Sequence, residues 1–196
     1  MTVIPVILGL DTSPHRCGWG LVRLDDGAPV ACGCVEIAHE NKDDWRVGFD
    51  VAARTALSDM ALDKSWGYGS SLTVGHWYER VEVSAVYVER PAGGRNYQGT
   101  LDIAWVSGQF AQAAGRRWDV DVWCLRPQEW KSAVGLPGNA SKDDVMGAAF
   151  ALGFDSRDRG GLNPTLTQDA ADAGLIARAG WVELDRGAQR AEEARA

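Results

Sequence analysis

The run Val6-Ile7-Leu8-Gly9-Leu10 ends in a carboxylate, Asp11. Residues 4 to 10 are apolar at both parities, the pattern of a central strand buried on both faces. An ionised carboxylate loses free energy in the dry surroundings such a strand seeks. Asp11 is therefore either a turn former at the wet end of the strand, bonding its own turn backbone, or a group that meets something positive there. A second buried run, "VSAVYVER" (83 to 90), ends the same way in Glu89, and Pro91 with Gly93-Gly94 stops it.

The other elements follow from period and punctuation. "CGWGLVRL" (17 to 24) and "VACGCVEI" (30 to 37), separated by the turn signal "DDGAP", complete an antiparallel meander with the first strand. Residues 43 to 62 predict a helix, with Trp45, Phe49, Ala52, Ala56 and Met60 at helical spacing. Residues 63 to 82, rich in Gly, Ser and aromatics, read as a loop or short hairpin. Residues 97 to 116 predict a helix with Leu101, Trp105, Gly108 and Gln112 along one stripe, and "VDVWCL" (120 to 125) a fifth strand. Pro127 suits the first turn of a short helix. Ser141 and Asp144 form a capping box for a helix at 142 to 152. The last helix spans about 166 to 180, capped by Thr165 or Thr167, and the charged tail is expected to fray.

A length of 196 residues suits one domain with a full core. The expected layout is a domain over 1 to 182, with a possible insertion at about 63 to 82, and a disordered tail over 183 to 196. The net charge of -7 argues against indiscriminate duplex binding, whose affinity comes from neutralising phosphates. A local basic face is still available: residues 90 to 117 carry Arg90, Arg95, Arg116 and Arg117 against one acid, Asp102. Dipole capping of a helix C-terminus accounts for the last two arginines. Cys17, Cys32, Cys34 and Cys124 make no zinc pattern and read as reduced thiols, which places the protein in the cytoplasm. No run approaches the ~18 apolar residues of a membrane span.

In the last helix, "QDAADAGLIA" sets Asp169 and Asp172 three residues apart, on one face. Alanines at 170, 171 and 173 let that helix approach a sheet closely, and the row Asp172, Ile176, Gly180 aims Asp172 along the packing side. Either acid alone suits a helix N-terminus, where the dipole favours negative charge. Together with Asp11 and Glu89 they form a candidate group of four carboxylates. Such a group repels itself unless neutralised, and it suits hard divalent cations such as Mg²⁺ or Mn²⁺. Two ions ~4 Å apart serve in-line phosphoryl displacement.

With these residues in place, the chain resembles a RuvC-type Holliday-junction resolvase of the ribonuclease H-like superfamily. "VILGLDTSPHRCGWGLVRL" is similar to the family's first two strands, with Asp11 at the catalytic aspartate. "VYVERPAGGRNYQGTLDIAWVSGQFAQAA" (87 to 114) is similar to the catalytic-glutamate strand and the following helix, with Glu89, Asn96, Leu101 and Gly108 in matching positions. "RPQEWKSAVGLPGNASKDDV" (126 to 145) is similar to the family's basic segment, and "QDAADAGLIA" to its terminal helix. The family's stacking aromatic falls on Ala92.

The resemblance implies an α/β fold, a ribonuclease H-like five-stranded mixed sheet of three antiparallel plus two parallel strands flanked by helices. It implies Mg²⁺-dependent hydrolysis of DNA, leaving 5′-phosphate and 3′-hydroxyl ends. Asp11, Glu89, Asp169 and Asp172 would hold two Mg²⁺ per active site, with Mn²⁺ able to substitute. Lys142 would stabilise charge at the scissile phosphate. Arg90, Arg95, Tyr97, Lys131 and Lys142 would line the DNA face, the cations on phosphates and Tyr97 on an unpaired base. The partners would be a four-way junction and a second copy of the chain, since two symmetric cuts call for a two-fold dimer. The helix at 97 to 116 is the candidate interface.

Other readings stay open on sequence alone. A different ribonuclease H-like nuclease, acting on RNA–DNA hybrids or branched and flap DNA, would share the metal site. "LGLDTS" also resembles the first phosphate loop of actin-like and sugar-kinase-like ATP-binding proteins, although 196 residues are few for two such lobes. A non-catalytic junction binder would have little use for four gathered carboxylates.

Overall fold

The computed structural model describes residues 3–38, 46, 48–62, 71–74, 77–91, 97–154 and 166–194. The expected site residue Arg95, its neighbour Asn96, position Ala92 and the alternative cap Thr165 lie outside them.

Strands β1 (Val3–Thr12), β2 (Arg16–Arg23) and β3 (Pro29–Glu36) form the antiparallel meander. Helix α1 (Phe49–Leu62) follows, then β4 (Ser71–Val74), β5 (Trp77–Glu89) and α2 (Tyr97–Trp118). The chain continues through β6 (Val122–Leu125), α3 (Pro127–Ala133), α4 (Lys142–Leu152) and α5 (Gln168–Glu193). The sheet order is β3-β2-β1-β5, with β1 and β5 parallel. The far edge of β5 is shared: β4 pairs antiparallel with its first residues and β6 parallel with its last four.

All five expected strands are present. The sixth, β4, arises inside the segment read as a loop or short hairpin. There Val74 pairs with Trp77, and β5 begins at Trp77 rather than at Val83. Aromatic and β-branched residues at 77, 78, 81 and 83 favour the longer strand. Helix α1 begins at Phe49, later than expected, because Gly48 adopts φ 75°, outside the helical region. Helix α5 continues to Glu193, well past residue 182, where the tail was expected to begin. Its polar residues pair along the helix there, Arg186 Nη1 donating to Glu183 Oε1 at 3.0 Å and the Gln189 amide to Asp185 Oδ2 at 2.8 Å. No described helix is long and apolar enough to cross a membrane.

Alternation along each strand divides the core in two. Val6, Leu8 and Leu10 of β1 join Trp19, Val86 and Val88 and meet Phe49, Leu57, Val106 and Phe110 of α1 and α2. Ile7 joins Val22, Ala85 and Tyr87 on the opposite face, under Trp130, Val145, Leu175 and Ile176 of α3, α4 and α5. Helix α2 buries Val106, Ser107, Phe110, Ala113 and Ala114. The stripe Leu101, Trp105, Gly108, Gln112 therefore lies on its outer side. Trp105 is 38% exposed, its ring centroid 5.3 Å from that of Phe49.

Candidate active site

Register brings the first two acids together. In the parallel pair, Leu10 lies opposite Val88, so Asp11 and Glu89 follow at one level and on one face. Asp11 lies opposite Gly18 of β2, and Gly18 opposite Cys34 of β3. This row, from carboxylate through bare backbone to thiol, is where α5 starts.

Helix α5 reaches the sheet because glycine clears its path. A Cβ on Gly9 would stand 2.2 Å from the Ala173 carbonyl oxygen, and one on Gly18 would stand 2.0 Å from that of Asp169. One on Gly20 would stand 2.4 Å from the Gly174 Cα. Such separations are impossible for real side chains, so glycine here permits direct backbone contact. The helix contributes Ala170, Ala171, Ala173, Gly174 and Ala177, all buried. Thr167 caps it, its hydroxyl accepting from the Ala170 N–H at 3.2 Å. The first turn of α5 thus delivers Asp169 and Asp172 to the ends of β1 and β5.

The four carboxylates sense one another. Burial raises the Asp11 carboxyl well above the usual range, and repulsion from Glu89, Asp172 and Asp169 adds to it. Burial also raises Glu89, against a hydrogen bond from the Trp130 indole, with repulsion from Asp172 and attraction to Lys131. Asp172 is raised by burial, with a hydrogen bond from Gln168 and the charges of Lys131 and Lys142 pulling the other way. The Gln168 amide donates to Asp172 Oδ1 at 3.0 Å, and Trp130 Nε1 donates to Glu89 Oε2 at 2.7 Å. The Cys34 thiol lies 3.7 Å from Asp169 Oδ2. Burial and the neighbouring Asp169 push that thiol up to about 11. Among the described residues, no Lys or Arg forms an ion pair with any of the four acids.

The expected basic residues divide. Lys131 donates from Nζ to the Ala140 carbonyl at 3.2 Å, beside the cluster, and Lys142 opens α4 within electrostatic reach of Asp172. Arg90 follows Glu89 directly at the end of β5, and Tyr97, at the start of α2, is 74% exposed. Arg90 acts on Glu129, which the Arg126 guanidinium also holds below the usual carboxylate range. Trp130, Cys34, Gln168 and the glycine path on β1 and β2 escaped the sequence reading. Gly9, Gly18 and Gly20, spaced by strand parity, were the legible signal for the path; nothing local marked Trp130 or Cys34.

A mixed sheet whose parallel strands β1 and β5 carry Asp11 and Glu89 side by side, faced by a helix with two more acids, is a fold shared with solved Holliday junction resolvases. The solved structure of Thermus thermophilus RuvC matches with a TM-score of 0.60 at 20% identity, covering 93% of this chain and 96% of that one. The crystal structure of the yeast mitochondrial Holliday junction resolvase matches with a TM-score of 0.53 at 12% identity, over 95% and 84%. At such identities the likeness is one of fold. In sequence, the chain is similar to RuvC crossover junction endodeoxyribonucleases over part of their length. It is 30% identical over 139 residues to that of Paenarthrobacter aurescens and 29% to that of Nocardia farcinica. In both cases the match covers 71% of this chain and 64% of the relative's length. No family model matches the chain.

Proposed function

We propose that this chain is a structure-selective DNA endonuclease that resolves four-way junctions by metal-dependent phosphodiester hydrolysis, cutting symmetrically as a homodimer in the cytoplasm. The observation that carries this reading is the gathering of Asp11, Glu89, Asp169 and Asp172 at one end of the sheet, three of them raised by burial and none in an ion pair among the described residues. Such an assembly is costly without compensating charge. An all-oxygen, anionic donor set fits hard divalent cations. Among the described residues, no three His, Cys, Asp or Glu side chains already stand in a ligating arrangement. The acids are thus an electrostatically coupled group rather than a closed cage.

Asp11, Glu89, Asp169 and Asp172 are the residues that would hold Mg²⁺, two ions per site, with Mn²⁺ able to substitute. Bound divalent ions would activate the attacking water and stabilise charge on the phosphate and the leaving oxygen. Lys142 faces the developing negative charge, and Lys131, Arg90 and Arg95 hold neighbouring phosphates. Tyr97, exposed at the start of α2, stacks on an unpaired base. The outer stripe of α2, with Leu101 and Trp105 exposed, is the face that a second copy covers. The solved Thermus thermophilus RuvC bound to its Holliday junction substrate shares the fold, with a TM-score of 0.59.

The test is incubation of a synthetic mobile four-way junction with and without Mg²⁺, beside a linear duplex and an RNA–DNA hybrid. Paired nicks in the junction alone are expected, with Asp11→Asn and Glu89→Gln binding the junction but leaving it whole. Preferential cutting of the hybrid would move the assignment to another ribonuclease H-like nuclease. Robust Mg²⁺-dependent cutting by either variant would overturn the site. A monomer at micromolar concentration in sedimentation would overturn the two-site scheme.

A further inference from the structure

We propose that Trp130 is a positioning residue for Glu89, and that it ties the carboxylate cluster to the segment carrying Lys131 and Lys142. This rests on the nuclease reading above. The Trp130 ring is 2% exposed and packs in the same cluster as Ile7, Val145, Ala149 and Leu166. A buried indole N–H seeks an acceptor, and here the acceptor is Glu89 Oε2, at 2.7 Å. The donor is neutral while the acceptor is ionisable, so the bond favours the charged carboxylate without cancelling its charge. A lysine or arginine in that place would neutralise Glu89 and compete with a cation. The indole fixes one carboxylate oxygen, and among the described residues no hydrogen bond holds the other, Oε1.

The anchor is stiff on its own side. Helix α3 starts with Pro127, and the Arg126 N–H and guanidinium both bond the Glu129 carboxylate. Lys131, the next residue, lies with Nζ 5.4 Å from the Trp130 ring centroid and donates to the Ala140 carbonyl. Ala140 precedes Ser141, whose side chain caps α4 at Lys142. A pull on either lysine by a phosphate is therefore transmitted to the indole, and through it to Glu89. Partners of this kind behind a metal-ligating side chain are commonly worth a 10- to 100-fold change in metal affinity or activity.

The experiment measures Mn²⁺ binding by the electron spin resonance of the free ion, in the metal-free full chain and without DNA. Trp130→Phe keeps an aromatic ring and removes the donor. Its Mn²⁺ affinity is expected to fall about 10-fold, with metal-free junction binding retained. On a Glu89→Gln background the same change is expected to cost nothing further, because the two act as one unit. Wild-type affinity in Trp130→Phe, or an equal loss on both backgrounds, overturns the proposal. If Trp130→Phe does not fold, the ¹⁵N–¹H spectrum of the wild-type chain decides. One of its nine indole signals is expected to shift both with Mg²⁺ and in Glu89→Gln, and nine unmoved signals overturn the proposal. A wild-type chain that binds no Mn²⁺ and cuts no junction refutes the nuclease reading as well. One that binds and cuts while Trp130→Phe matches it refutes the positioning role alone.

Discussion

Toward α1 and α2 the sheet presents Leu8, Leu10, Trp19 and Val88 and meets Phe49, Leu57 and Phe110. Toward the first half of α5 it presents Gly9, Gly18 and Gly20 and meets alanines and Gly174. The first face is held by interdigitated large side chains, where dispersion and burial supply the stability. On the second, backbone touches backbone along the glycine path, with Ile7, Tyr87, Leu175 and Ile176 packed around it. That closeness is what carries Asp169 and Asp172 to Asp11 and Glu89. Both faces bury apolar side chains; only the second also holds charged groups where burial disfavours their ionised form.

The contrast makes removal of atoms the weak point of one face and addition the weak point of the other. Phe110→Ala, emptying a fully buried ring site packed edge-on against Phe49 at 6.0 Å, is expected to cost about 3–5 kcal/mol in urea unfolding. Gly18→Ala, adding a single methyl, is expected to cost about 1–3 kcal/mol and to abolish cleavage by lifting Asp169. A Gly18→Ala protein with wild-type stability and cutting would erase the distinction between the faces.

Asp11→Asn sharpens the electrostatic half of the comparison. The folded Asp11 carboxyl is raised above its unfolded value, so the native chain binds more protons than the unfolded one between the two values. Its unfavourable contribution is therefore absent below the ordinary carboxylate range. It grows as pH rises through that range and is complete above the raised value. Metal-free Asp11→Asn is expected to be more stable than wild type at pH 7, with the gap closing as pH falls, in thermal melts with a chelator present. A gap that does not depend on pH would mean that Asp11 is not held against its charge. The smallest effect is expected at Gly147, exposed in the middle of α4, where an added Cβ meets nothing within 4 Å. Gly147→Ala is expected to raise stability by about 0.5–1 kcal/mol through helix propensity, measured by the same melts.

Much of this was legible locally. The buried strands ending in Asp11 and Glu89, the cap at Thr167, the Ser141–Asp144 box and Pro127 at the start of α3 all appear where period and capping rules put them. The stripe on α2 was legible as a period, while which side of the helix is buried, Val106, Phe110 and Ala113, was decided by the sheet. Two neighbouring stripes on one helix can each look apolar, and only the packed sheet selects between them. Of the two readings of 63 to 82, loop or short hairpin, the hairpin stands: Ser71 to Val74 pairs with a β5 that starts earlier than its apolar run suggested.

The amino-acid sequence alone determined which residues end strands, cap helices and share a helix turn, because those relations act within a few residues. Only the tertiary structure decided that Gly18 lies beneath Asp169 and that the Trp130 indole finds Glu89, 41 positions away. Contacts of that kind depend on strand register and on how closely a helix settles on a sheet. Both are set by the sum of packing over the whole domain, not by any single stretch of chain.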